Sequence, residues 1–553
     1  MATHKLSCRS SHARSVGVIA ILVGTLMLLL SLPLPAMAHI PHECPNGIPD
    51  TPMLPGHVDQ KAVSSGEITF DEIFATGKLL FDGVFNLCDG QGRPATTGGG
   101  AKREPDEPAF SRISAPDANA CSGCHNQPRS GGGGDIVANV FVLAQTLDPI
   151  THSDEAELSN FRNTLGMFGS GAIEMLAREM TTDLLDIQTM ALYDAQRTGQ
   201  PVTMSLVSKG VRFGSITANP DGSVDTSQIQ GLDPDLIIKP FHQAGRVVSL
   251  REFSNNAMNH HHGMQPEERF DLNPDSGIDF DEDGVTHELS IGDMTAVTIY
   301  QAALGVPGQV IPDDAAGREI IAKGEELFHT VGCTSCHVPE MKLSSPLFVE
   351  PNPYNPPGNW NDPSQSLSFD MTTTGEGPYL EREGEGAIVK AYTDLKRHNL
   401  CDEEIDHYCN EYLSQGRVDQ DGEPGSHFFL TRKLWDVGNS APYGHAGYLT
   451  TISEAILVHG GEARDSRDAF AALSKEDQEA IVGFLKSLQV LPVGSPRMIT
   501  ESQLAVLLSP TEYASTTQTE FAPMIITVAS ILILTMLVAG FFIGRRLRPN
   551  PAT

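Results

Sequence analysis

Two five-residue strings constrain this chain more than anything else in its 553 residues: Cys121-Ser122-Gly123-Cys124-His125 and Cys333-Thr334-Ser335-Cys336-His337. Two thiols at this spacing can bond the vinyl groups of a porphyrin while the histidine that follows ligates its iron, so each string predicts an attached c-type haem. A zinc or redox Cys-x-x-Cys would not need the histidine. Cys121, Cys124 and His125 are thus expected to hold one haem, and Cys333, Cys336 and His337 a second.

The segments ahead of the two strings repeat one another. IFATGKLLF (Ile73–Phe81) and IIAKGEELF (Ile320–Phe328) share a glycine and a leucine-phenylalanine pair at helical spacing. In a cytochrome c-like domain the helix before the haem motif crosses the last helix closely, which favours glycine at the crossing. SKEDQEAIVGFLKSL supplies that last helix for the second unit, with Ser474 as N-cap and Ile481, Phe484, Leu485 and Leu488 on one face. The fold expected from this is mainly α: two cytochrome c-like haem domains, residues 39–245 with insertions and residues 313–491, joined by a partly irregular linking segment, 246–312.

The ends read differently. Residues 1–38 have Lys5, Arg9 and Arg14 ahead of an apolar run and finish in Ala36-Met37-Ala38, the pattern of a secretory signal peptide. After a stalk, 492–520, residues 521–544 carry no charge and are long enough for a transmembrane helix; Arg545, Arg546 and Arg548 would hold the tail, 545–553, in the cytoplasm. The expectation is a periplasmic or otherwise extracytoplasmic protein anchored by one C-terminal helix. Cysteine usage agrees: Cys44, Cys88, Cys401 and Cys409 remain outside the leader and the haem strings, with Cys401–Cys409 the natural local disulfide and Cys44–Cys88 its complement by elimination. The formal charge of −33 argues against nucleic acid as a partner and would steer a basic one, such as a small donor cytochrome c, towards the surface.

Between the haem units, His242 and His260–His262 form a histidine-rich stretch that can serve a metal, a haem edge or solvent. Asp279, Asp281 and Asp283 before Gly284 resemble the first half of a calcium loop, with Glu288 as a further ligand; Ser290 at the twelfth position departs from the EF-hand pattern.

After the second string come Ala441-Pro442-Tyr443-Gly444-His445-Ala446-Gly447 and His459-Gly460-Gly461-Glu462-Ala463. With the paired Cys-x-x-Cys-His strings, they resemble the di-haem oxidoreductase family, relatives of the bacterial di-haem cytochrome c peroxidases and of the enzyme that matures methylamine dehydrogenase. The resemblance runs roughly from Ile73 to Leu488 and is strongest around and after the second string. In the peroxidases a methionine beyond the Pro-Tyr-x-His-x-Gly histidine ligates the C-terminal haem; the same interval from His445 lands on His459. The resemblance therefore implies a His337/His459 haem, the alternative for His459 being a solvent-facing helix end.

The first haem departs from its relatives. The place of their distal histidine falls near Phe141, and no histidine occurs between His125 and His152. This leaves an open iron, or a ligand from farther away, with His152 and His260–His262 as candidates. In NFRNTLGMFGSGAIEMLAREM the resemblance marks Glu174 as the acid/base for peroxide and Arg162 as a partner for a propionate or the ligand oxygen. Trp435 is an aromatic that can lie between the haems. The function expected is reduction of hydrogen peroxide, or another small oxidant, at the N-terminal haem with electrons relayed through the C-terminal one. The rivals are a di-haem electron carrier and an enzyme oxidising a protein or organic substrate.

Overall fold

The computed structural model describes residues 39–40, 44, 50–91, 118–134, 137–139, 161–270, 279, 284–409 and 427–509. Seven helices place the site: α1 (Phe70–Asp82), α2 (Ser170–Thr198), α3 (Leu250–Ala257), α4 (Ile291–Ala302), α5 (Ala315–Thr330), α6 (Ile452–Leu457) and α7 (Lys475–Ser487). Their ends follow local chemistry. Thr69 and Glu72 form a reciprocal capping box at α1, Thr451 and Glu454 another at α6, and Ser474 accepts from the Asp477 amide at α7.

Two helix crossings repeat. α1 packs on α4 and α5 on α7, each through a glycine. A Cβ at Gly77 would stand 2.0 Å from the Ala296 carbonyl oxygen, and one at Gly324 2.0 Å from that of Ala480. Only glycine lets backbones approach so far. The helix that closes the first unit is thus α4, within the stretch 246–312 expected to link the two domains. Phe328, Phe470, Ile481, Phe484 and Leu485 form the core of the second unit. Each fully buried phenylalanine there stabilises it by about 2 kcal/mol.

The expectation of a mainly α molecule is corrected: helix accounts for 37% and strand for 17%, in several small sheets. The largest ladder pairs Val202–Ser208 with Val211–Ala218 and Val224–Asp225. Lys209 (φ 46°) and Gly210 (φ 85°), both left-handed, make its hairpin turn, whose twist matches that of the strands. Beyond the second string, Met341–Leu343, Glu381–Glu383 and Gly386–Val389 form a three-stranded sheet, and Leu347–Glu350 pairs with Leu367–Asp370. Met341, Leu343, Phe348 and Phe369 share one core with α1, α2 and α4, so the two halves interlock. Among the described residues no helix is long and apolar enough to cross a membrane. The leader 1–38 and the apolar stretch 521–544 lie outside the described residues.

The two predicted disulfides are formed, Cys44–Cys88 and Cys401–Cys409, with Cα–Cα distances of 4.3 and 4.9 Å. Cys121, Cys124, Cys333 and Cys336 form no disulfide.

Candidate functional site

Both Cys-x-x-Cys-His strings fold as a tight 3-10 turn that brings thiols and imidazole to one side. The His125 amide donates to the Cys121 carbonyl at 2.9 Å, and the His337 amide to that of Cys333 at 3.0 Å. Each ring is then fixed from behind: His125 Nδ1 meets the Leu165 carbonyl at 2.9 Å, and His337 Nδ1 that of Tyr392 at 3.0 Å. With Nδ1–H donating to a carbonyl, each ring keeps Nε2 as a lone-pair donor, the tautomer that metal ligation requires. Burial pushes both imidazoles down to about 4, so they are neutral at physiological pH. Burial likewise pushes the Cys121 and Cys333 thiols up to about 12, which disfavours the thiolate a zinc site needs.

The two strings open on one continuous cavity of about 920 Å³. Apolar side chains from both halves line it, among them Phe81, Ile173, Phe328 and Leu485, together with the cations Arg162, Arg246, Arg432 and Lys433. Arg162 and Lys433 are pushed down by burial, to about 10 and about 8. Cations over an apolar cleft suit flat macrocycles with carboxylate tails. The paired free thiols, the two Nε2 donors and these cations fit two haem groups.

On the second side, His459 lies on the cavity wall, its Nδ1 donating to the Ala455 carbonyl at 2.7 Å at the end of α6. His337 opens on the same cavity, and after burial the charge of His459 is the next influence lowering it. His445 also lines the cavity and is buried; its carbonyl accepts from the Asn163 amide at 2.8 Å.

Around the first string, His242, His261 and His262 line the wall, and His152 lies outside the described residues. His262 is held by Nδ1 to the Ala118 carbonyl at 2.8 Å, with Nε2 3.3 Å from Cys121 Sγ. Arg162 lies on the cavity wall, and its charge helps to push His242 down, after burial, to about 3.

Glu174 requires a correction. It is fully buried but does not line the cavity: Arg178 holds it in an ion pair, and it accepts from Asn352 Nδ2 at 2.9 Å and from the Leu250 amide at 2.8 Å. These partners leave it no path to a ligand. The acid that does reach the cavity is Glu252 on α3, the single carboxylate among the described lining residues. Its Oε2 accepts from the Val248 amide at 2.7 Å, and burial raises its pKa. Helix α3 runs on into the stretch Met258–His262, whose last residue meets Cys121.

The acidic loop is also redistributed. Glu288 is buried and its Oε2 accepts from the Gln265 amide at 2.6 Å; Asp279 Oδ2 accepts from the Gly284 amide at 2.9 Å. Asp281 and Asp283 lie outside the described residues.

A hydrogen-bonded path joins the two strings. Leu165, which accepts from His125, is followed by Gly166, whose carbonyl accepts from Lys433 Nζ at 2.8 Å. Next to Lys433, the Leu434 amide donates at 2.9 Å to Ala391, the neighbour of the Tyr392 that accepts from His337. Trp435 is fully buried beside this path; a Cβ on Gly169 would stand 2.3 Å from its ring.

Comparison with known proteins places part of the chain. Residues 369–488 match the family model described as "Di-haem oxidoreductase, putative peroxidase". A comparison with curated proteins finds no match. Among solved structures, hydrazine synthase of Kuenenia stuttgartiensis is similar with a TM-score of 0.32 and 14% identity, over 80% of this chain and 97% of that one. A MauG-like protein associated with microbial copper homeostasis is similar with a TM-score of 0.25 and 16% identity, over 50% and 79%. Both likenesses are too distant to carry an argument.

Proposed function

Residues 369–488 being those of the di-haem oxidoreductase family, we propose that the chain is a peroxidase of that family, binding two haem c groups and reducing hydrogen peroxide at the first. The observation that carries the reading is the shared cavity, onto which both strings, His459 and a single carboxylate, Glu252, all open. Cys121, Cys124 and His125 hold one haem, and Cys333, Cys336, His337 and His459 the other. Haem iron supplies the electron-transfer chemistry when bound.

The chain's own residues do the rest. Glu252 takes the proton from the near oxygen of incoming peroxide and returns it to the departing oxygen. Its raised pKa suits that double role, and Arg162 and Arg246 bind the anionic edge of the cofactor. Overall, hydrogen peroxide takes up two electrons and two protons and leaves as two waters. The electrons come from a small basic cytochrome drawn to the acidic surface. The path from His337 through Ala391, Leu434, Lys433 and Gly166 to His125 spans the two sites, with Trp435 packed alongside. The disulfides support an extracytoplasmic location.

A second reading has its own observation: His261 lines the cavity next to His262, whose Nε2 lies 3.3 Å from Cys121 Sγ, a place from which a histidine could ligate the first iron in an electron carrier without substrate chemistry. EPR of the purified ferric protein decides. One high-spin and one low-spin haem, with the high-spin signal shifting on cyanide, is the expected result. Two low-spin haems indifferent to cyanide and peroxide, before and after partial reduction, overturn it.

A further inference from the structure

His398 stands apart from everything assigned so far. It is buried on Arg397–Asn399, with Nε2 2.8 Å from Asp394 Oδ2 and Nδ1 2.8 Å from Glu462 Oε2. Two ionised carboxylates can only accept, so both ring nitrogens must carry a proton and the ring is an imidazolium. Burial alone would push it down; the hydrogen bonds to Asp394 and Glu462 outweigh that and hold it up.

Its position gives the charge a use. The polar atoms of His398, Asp394 and Cys336 lie within 4.8 Å of one another, the one such grouping of three among the described residues. A metal ion has no place there: both ring nitrogens are engaged, and Cys336 is taken up by the cofactor. Asp394 comes two residues after Tyr392, whose carbonyl fixes His337. Glu462 comes three residues after His459, and its Oε1 accepts from the Asn399 amide at 2.9 Å. One imidazolium therefore joins the segment behind the proximal ligand to the loop beyond the distal one, against the sulfur that would bear the macrocycle.

We propose that His398 is a positioning residue for the second haem, a fixed cation at the Cys336 edge that raises that haem's reduction potential and so sets how readily it accepts electrons from the donor. A positive charge near the iron favours the reduced state, which carries one positive charge fewer. Without it a His/His haem would sit lower, with Asp394 and Glu462 lowering it further. The inference rests on the reading that Cys333, Cys336 and His337 carry haem.

The test is a spectroelectrochemical titration of the purified holoprotein, with haem counted by the pyridine haemochrome assay. His398→Gln should lower the potential of the low-spin haem and leave the other unmoved. Glu462→Gln, at a half-exposed position where folding is not at stake, should raise it, because Asp394 still holds the ring charged once one anion is gone. A residue that only braced the loop would shift both variants the same way. Opposite signs support the proposal; equal signs, or no shift in either, overturn it. If His398→Gln fails to fold, Glu462→Gln decides alone: an upward shift supports, no shift or a downward one overturns. A wild-type protein with fewer than two haems would instead sink the di-haem reading.

Discussion

Glu174 and Glu252 are both glutamates on helices, and their partners give them opposite roles. Glu252→Gln keeps the shape and removes the proton carrier. Peroxide turnover should fall about 10²- to 10⁴-fold with haem content unchanged, measured by stopped-flow. Glu174→Ala leaves Arg178 and the Leu250 amide without their buried partner, so it should cost about 3 kcal/mol in urea unfolding and leave turnover of the folded enzyme unaltered. Away from the haems, His57 is buried with Nδ1 2.7 Å from Asp293 Oδ2. Burial would push it down, but the hydrogen bond and charge of Asp293, helped by Glu267 and Asp89, raise it above its ordinary 6.5. The stability this pair contributes is complete below 6.5 and is lost as pH rises through the raised value. Unfolding free energy should therefore decline more in the wild type than in His57→Gln between about pH 6 and about pH 9; parallel profiles by denaturant titration would refute it. What could be read from sequence at this scale depended on contiguity. The Cys-x-x-Cys-His pattern lies in five adjacent residues, so both strings were legible in the sequence alone. Glu252 was not, because Ser249-Leu250-Arg251-Glu252 reads as a helix-capping box and only the tertiary fold turns its last residue to the cavity. His398 was not either, since Asp394 lies four residues before it but Glu462 comes from a distant segment.

At the scale of elements, the glycine-marked helices were legible because a close crossing leaves a periodic trace, whereas most strands were not. Ladders of two to four residues owe their existence to partners far away in sequence, as Met341–Leu343 does to Gly386–Val389. The hairpin Val202–Ala218 is the exception. Its alternating runs around Lys209-Gly210 carry a strand signal in the sequence itself. The crossings make a paired prediction within α7 and its partner. Gly324→Ala forces a methyl to 2.0 Å from the Ala480 carbonyl oxygen and should destabilise by roughly 1–3 kcal/mol, lowering the melting temperature. Gly483→Ala meets its nearest atom, Ile321 Cδ1, at an ordinary 3.6 Å and should stabilise by about 1 kcal/mol through helix propensity. Calorimetry showing the same sign for both would mean that the crossing is looser than described.

Across the whole molecule, the strands that follow the second haem motif share a core with the first unit, and one cavity serves both strings, so the two sites are built as a single body. The surface is uneven in a way that bears on function. Glu403, Glu404 and Asp406, exposed on the disulfide loop, and Glu462, Asp465 and Asp468, exposed beyond His459, ring the part of the cavity wall formed by Leu400, Tyr408 and His459. Arg464 and Arg467 offset only part of this charge. A basic donor approaching a chain of formal charge −33 would be steered to this face by the local field, and such steering fades once salt shortens the screening length to about 10 Å at 0.1 M. Turnover with a basic cytochrome should therefore fall steeply with ionic strength. The triple variant Glu403→Lys, Glu404→Lys, Asp406→Lys should slow it about tenfold at low salt and flatten the salt dependence. Turnover with a small neutral donor should be indifferent to both, because it needs no oriented encounter. Steady-state rates over a salt series with the two donors separate the cases: a salt slope unchanged by the three substitutions would place the donor on another face.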